Sequence, residues 1–164
     1  MSGSMPGEPF FAYPGLRVSA GDPEAAAGTD ASKAVIVLDP AGIPSSNIID
    51  SGDSFNLVIR FRVALAGVSF PLPPGFWVNF HLMDVRTGAE IAGSPFTGTA
   101  AVSIATPAGD SGPDQPPDVV DWYSSTTAAP ITLGQGTYRA LVHGHEPGSG
   151  LMFFHEGTLI HVGI

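Results

Sequence analysis

The stretch ITLGQGTYRALVHGH, residues 131–145, decides the fold of this chain. Its Gly-Gln-Gly at 134–136 is a turn signal, because glycine adopts backbone angles that other residues disfavour. From Tyr138 every second residue is apolar, whereas Arg139 and His143 stand at alternate positions. Successive side chains point to opposite faces of a strand. The spacing therefore predicts a turn followed by a strand with one apolar face.

Gly136 and Tyr138, in this order, resemble the start of a late strand in immunoglobulin-like β-sandwiches. In those folds a tyrosine at the corner donates a hydrogen bond to the chain just upstream. The resemblance implies a two-sheet sandwich with Greek-key connections, in which Gly136 and Tyr138 are structural residues. It indicates no activity, because a sandwich hosts many unrelated functions.

Further strand patterns recur at intervals of about 8–12 residues, as in a sandwich. We expect seven to nine strands and no helix, with residues 40–53 as a loop. The expected strands are 33–39, 54–65, 76–84, 89–91, 96–104, 119–126, 131–145 and 151–162, the last bent at Gly157. The sequence thus predicts an all-β, antiparallel two-sheet β-sandwich over residues 33–164.

Residues 1–32 are rich in proline, glycine and alanine and predict an extended N-terminal arm outside the sandwich. Phe10, Phe11 and Tyr13 are its candidate anchors, because large aromatic side chains bury the most surface. They would pack on the parent domain or on a neighbouring subunit. We hypothesise that the arm supports stability or assembly.

The composition excludes several function classes. Charged residues make up 13% of the chain, about half of the usual ~25%. The net charge is −9, and the six basic residues form no run, which argues against nucleic acid as a partner. A surface with few charges favours self-association or a protein partner. The absence of cysteine excludes disulfides and thiolate sites.

No stretch reaches the ~18 apolar residues of a membrane span. The N-terminus also lacks the basic and apolar regions of a signal peptide. A cytoplasmic location is therefore the default expectation.

His143 and His145 form an H-x-H motif, so a strand places both imidazoles on one face, about 6–7 Å apart. Such a pair can bind a metal ion if further ligands are added, and His155 and Glu156 are the candidates. The motif resembles the cupin fingerprint, in which H-x-H and a downstream glutamate ligate a metal. Gly136 and Glu156 stand at other spacings than in that fingerprint, and its second motif is missing. The alternative is a pair at the rim that bonds to backbone or water.

Three aromatic residues, Trp77, Trp122 and Tyr123, are candidates for a sugar-stacking platform. The alternative is that they pack in the core, where tryptophan is commonly found. The segments SGDSF at 51–55 and LGQGTY at 133–138 resemble sandwich modules of polysaccharide exporters. That resemblance implies binding to glycan ends.

No nucleophile elbow, phosphate-binding loop or dinucleotide fingerprint is present. The sequence therefore favours a non-enzymatic structural or interaction module, without a cofactor, that self-associates or docks on a protein partner. A carbohydrate-binding module and a metal-dependent enzyme built on His143 and His145 are the alternatives.

Overall fold

The computed structural model describes residues 17–21, 34–66, 72–73, 75–104, 118–148 and 150–163. These residues form strands and turns, and none of them belongs to a helix that could cross a membrane. The strands are β1 (Arg17–Ala20), β2 (Val35–Leu38), β3 (Ile48–Asp50), β4 (Ser54–Ala66), β5 (Trp77–Asp84), β6 (Phe96–Thr97), β7 (Val102–Ile104), β8 (Asp118–Thr126), β9 (Ile131–Thr132), β10 (Gly136–Glu146) and β11 (Leu151–Gly163).

The strands form two sheets that pack against each other. In sheet A the long strand β4 pairs with β1 and β2 on one side and with β8 on the other. Strand β7 continues this sheet beyond β8, and β9 pairs with the first residues of β4. Sheet B has the order β3–β11–β10–β5–β6. The prediction of an all-β fold with two packed sheets is confirmed.

The core lies between the sheets and is built from alternating residues of the long strands. From Phe55 to Val63, every second residue of β4 is at most 1% exposed. Val78, Phe80 and Leu82 of β5 are 0% exposed and belong to the same core cluster. Burying each such side chain contributes about 1.5–3 kcal/mol. The predicted alternation of these strands is therefore what assembles the core.

The turn before β10 is held by the hydrogen bond that the corner motif predicts. Tyr138 Oη donates to the carbonyl oxygen of Gly134 at 2.8 Å, and the tyrosine is 8% exposed. A Cβ atom at Gly136 would lie 3.2 Å from Tyr138 Oη. The tyrosine thus lies across a position that has little room for a side chain.

The last hairpin follows the prediction closely. The backbone N–H of Gly150 donates to the carbonyl oxygen of Glu146 at 3.0 Å and closes the turn between β10 and β11. The pairing register shifts opposite residues 139–141, where Gly157 lies on β11. A Cβ atom at Gly157 would come within 3.0 Å of Val35 and 3.1 Å of the Ala140 carbonyl oxygen. The close approach explains why a glycine occupies this register shift.

The pairing differs from the prediction in the short strands. Residues 48–50, expected in a loop, form β3, which pairs with β11 in parallel, so the sandwich is not purely antiparallel. The segments 96–104 and 131–145 each divide into two strands. In segment 96–104, β6 pairs with β5, whereas β7 pairs with β8. In segment 131–145, β9 pairs with β4, whereas β10 pairs with β11. Short apolar runs carry no signal of which neighbour they will meet.

The expected strand at 89–91 is a single bridge between Glu90 and Met83. In the region assigned to the arm, β1 pairs with residues 61–64 of β4. The proposed anchors Phe10, Phe11 and Tyr13 lie outside the described residues.

Candidate functional site

The outward side of sheet B presents four residue rows across three strands. Residues directly opposite each other in an antiparallel pair share a face, so the register of β5, β10 and β11 defines the rows. We call this surface the outer face. Its rows are Trp77–His145–Met152, Asn79–His143–Phe154, His81–Leu141–Glu156 and Met83–Arg139–Leu159.

Four aromatic rings pack together on two of these rows and form what we call the ring cluster: Trp77, His143, His145 and Phe154. The two imidazoles are nearly parallel, with centroids 5.8 Å apart and an interplanar angle of 15°. Phe154 stacks on His143 at 4.8 Å. Trp77 stands edge-on to both histidines, at 5.1 and 5.3 Å. Offset and edge-to-face contacts are favoured between aromatic rings, so the four rings hold one another in place.

Gly144 explains how two histidines fit side by side on this strand. It points to the core side of β10 and is buried. A Cβ atom there would come within 2.2 Å of a Phe153 ring carbon and 2.8 Å of a Phe76 ring carbon. The inward position between the two histidines is therefore filled by phenylalanine rings, and only glycine fits.

Apolar side chains are exposed along the β11 edge of the outer face. Phe154 is 68% exposed, Met152 46% and Leu159 38%. They are three of the seven large apolar side chains exposed among the described residues. Isolated exposed apolar residues are normal, but a contiguous patch of them marks a contact surface. Met152 and Phe154 lie in adjacent rows and continue through the ring cluster onto β10 and β5, whereas Glu156 separates Leu159 from them.

The charges on the outer face occur as pairs. Arg139 and Glu156 form an ion pair. His81 Nδ1 lies 2.7 Å from Glu90 Oε1, and hydrogen bonds from Ser94 and then His81 lower the pKa of the Glu90 carboxyl. The fixed charges of this surface thus compensate one another.

Burial lowers the pKa of His143 below its ordinary value, and the like charges that His145 and His81 would carry lower it further. Desolvation and a neighbouring cation both disfavour imidazolium. Both effects favour the neutral imidazole of His143.

The residues considered for a metal site divide between two faces. His143 and His145 lie together, as the H-x-H spacing predicts. His155 is opposite Val142 in the register and so faces the other side of β11, where burial lowers its pKa. Glu156 is on the outer face but is paired with Arg139. Within the described ranges, no group of three histidine, aspartate or glutamate side chains is placed to hold a metal ion.

The three candidates for a sugar platform also lie apart. Trp77 belongs to the ring cluster of sheet B. Trp122 is on β8 in sheet A and is 0% exposed, so it offers no ring face to a ligand. Tyr123 points the other way and stacks on the core residue Phe61 at 5.8 Å. These aromatic residues therefore do not form a joint platform.

Sequence reasoning did not find Phe154 and Met152 as part of the site. Both stand at alternate positions of a segment that reads as a strand, which shows that they share a face. The missing information was the hairpin register, which places Phe154 beside His143 and Met152 beside His145. A wider turn would have shifted both away.

A shallow cleft lies between β2, β3 and the start of β4. Its volume is about 140 Å³, and its lining includes Asp39, Asp50 and Asp53. Ligand pockets measure about 300–1,000 Å³. One carboxylate oxygen of Asp39 already accepts the backbone N–H groups of Ala41 and Ile43, each at 2.9 Å. The cleft is thus small and partly occupied by hydrogen bonds of its own loop.

The ring cluster is not part of the core that holds the two sheets together, and the strands that carry its rings are anchored from the opposite face. Comparison with known proteins adds no further assignment: no protein-family model matches the chain, and neither does a curated protein or a solved structure.

Proposed function

We propose that this chain is a non-enzymatic contact module that associates with a second copy of itself through the outer face of sheet B. The observation that carries the proposal is the ring cluster, whose Phe154 is exposed, with the exposed Met152 beside it. Aromatic and methionine side chains are enriched at protein interfaces, whereas lysine, glutamate and aspartate are depleted. The outer face has this composition.

The charge distribution favours a second copy as the occupant. The chain carries a net charge of −9, so two copies repel each other unless neutral surfaces meet. On the outer face Arg139 and Glu156 cancel, and the central residues carry no fixed charge. Contact through this face therefore brings few like charges together.

The symmetry and the size of the contact set the affinity that we expect for the dimer. In a two-fold dimer the same surface serves both copies. Three strands about 4.8 Å apart and four rows spaced by two residues span about 15 by 25 Å. Two copies would together bury about 750 Å², below the roughly 1,000 Å² of a stable interface, so we expect a weak, reversible dimer with a Kd on the order of 100 μM.

Sedimentation velocity over a concentration series tests this function. The wild type should move from monomer to dimer, and Phe154→Ser should remain monomeric at the same concentrations. Val102→Ser is the matched control, because Val102 is 58% exposed on sheet A and lies away from the outer face. A wild type that stays monomeric at millimolar concentration, or an equal loss in the control, would refute the proposal.

A glycan-binding role on the same surface is the second candidate. Sugar rings pack on open ring faces, and Phe154 is exposed on the side away from His143. The faces of His143 are covered by His145 and Phe154, which leaves few open faces and favours protein contact. A glycan array with the wild type and Phe154→Ser tests this: a hit that the variant loses would support glycan binding.

We also infer that the sandwich is immunoglobulin-like, with Greek-key connections. Support comes from the Tyr138–Gly134 hydrogen bond at the start of β10. The parallel pairing of β3 with β11 is the feature that departs from the simplest form of that fold. An experimental structure that traces every strand connection is the test.

A further inference from the structure

Histidines occupy the middle of the outer face. His143 and His145 lie in adjacent rows, and His81 lies one row beyond His143 on the neighbouring strand. Histidine is the side chain whose charge ordinarily changes between pH 5 and 8. A two-fold contact through this surface would bring a second set of imidazoles against the first.

We propose that self-association of this chain is gated by protons, with His143 and His145 as the sensor. Neutral imidazoles let two outer faces pack together, and imidazolium ions drive them apart. This inference rests on the proposed function and adds the condition under which the contact forms.

The groups that face the sensor from β5 do not offset its charge. His81 is the titratable residue of β5 that lies on the outer face, since Asp84 is opposite Tyr138 on the other side of the strand, and His81 Nδ1 lies 2.7 Å from Glu90 Oε1. When it is protonated, His81 adds a like charge beside His143. Trp77 and Asn79, which stand directly opposite the two histidines, carry none.

The groups on β10 and β11 are engaged with one another. Glu156 faces the sensor from β11 and pairs with Arg139 of β10. Glu146, next to His145 at the strand end, accepts the backbone N–H of Gly148 at 2.9 Å. Both acidic groups near the histidines therefore already have partners of their own.

The direction of the effect follows from the environment of His143. Burial and its two histidine neighbours lower its pKa, and a second copy would remove more water from the same ring. The dimer then binds protons less readily than the monomer. By linkage, association is fully present above the pKa that His143 has in the monomer, which is already below its ordinary value of about 6.5, and is lost as the pH falls further.

Sedimentation velocity at pH about 8 and about 5.5, at equal ionic strength, tests the gate, since these values bracket the ordinary histidine pKa. For the wild type the dimer Kd should rise at least about tenfold at the lower pH. The double variant His143→Gln/His145→Gln should show the same Kd at both values, weaker than that of the wild type at the higher pH because two rings of the contact are lost. A pH dependence that persists in it overturns the assignment of the sensor. Circular dichroism at each pH checks that the chains remain folded.

His161→Gln is the matched control. His161 is exposed on β11 but lies at the far end of the sheet, with its Nδ1 2.9 Å from Thr137 Oγ1, so this variant should keep the full pH dependence. A wild type that dimerises with the same Kd at both values overturns the gate and leaves the proposed function standing. A wild type that is monomeric at both overturns the proposed function itself. Loss of pH dependence in His161→Gln alone also overturns the assignment of the sensor.

Discussion

The two tryptophans of this chain occupy corresponding places in the two sheets and have opposite surroundings. Trp77 on β5 and Trp122 on β8 each lie on the side of their strand that faces away from the core between the sheets. Trp122 is 0% exposed and lies opposite Arg62, which is 3% exposed. Trp77 remains partly exposed, opposite His145.

The difference teaches that the two outward sides have different roles. Sheet A is buried on both sides along the middle of β4, where Ala64 is 1% exposed and Val58 8% on the side away from the core. Sheet B is buried on one side and carries rings and exposed apolar groups on the other. Changes on the outward side of sheet A should therefore affect folding, whereas changes on that of sheet B should affect contacts.

The largest expected contrast is between the tryptophans themselves. Trp122→Ala should lower the free energy of unfolding by about 3–5 kcal/mol, because it leaves a large cavity. Trp77→Ala should lower it by about 1 kcal/mol, since it removes only edge contacts with two histidines. Urea denaturation of dilute protein measures both values. Equal losses for the two variants would contradict the distinction between the sheets.

The arginines provide the second contrast. Arg62→Ala should lower the free energy of unfolding by about 2–4 kcal/mol. Removing this buried side chain leaves its hydrogen-bond partners unsatisfied and opens a void. Arg139→Ala removes a pair whose side chains are 45% and 59% exposed, so it should cost less than about 1 kcal/mol. Arg62→Met, which keeps most of the volume, separates the packing loss from the polar loss. Denaturation midpoints that fall equally in Arg62→Ala and Arg139→Ala would disprove this contrast.

The smallest expected effect is on the titration midpoint of His143. In the dilute monomer, NMR should place the titration midpoint of His143 below the ordinary value of about 6.5, because of burial first and of His145 and His81 second. His145→Gln should raise that midpoint, since it removes one like charge. A midpoint unchanged in the variant would show that His145 does not act on His143.

The long strands were predictable because their signal is local. Phe55, Leu57, Ile59, Phe61 and Val63 recur at every second position, with Val58 as the one apolar residue between them, so their shared face followed from the sequence. The short strands were not predictable, because three residues such as Ile48–Asp50 pair only where a neighbour is already present. The position of Tyr138 after a glycine turn was enough to predict its hydrogen bond, since donor and acceptor are four residues apart.

The candidate site was predictable only in part, for the same reason. The H-x-H spacing placed His143 and His145 on one face. Their meeting with Phe154 depends on a hairpin register, and their meeting with Trp77 on a strand almost seventy residues away. His155 is separated from the site because it faces the other side of β11, and Trp122 because it lies in the other sheet.

The sequence by itself determined the alternating strands, the corner at Tyr138 and the shared face of the two histidines, because each depends on residues close together in the chain. Only the tertiary structure decided that Trp122 is buried and Trp77 is not, and that four rings from three strands lie together. Burial of the outward side of a strand depends on contacts made across and above the sheet. Those contacts join residues far apart in sequence, so no local pattern records them.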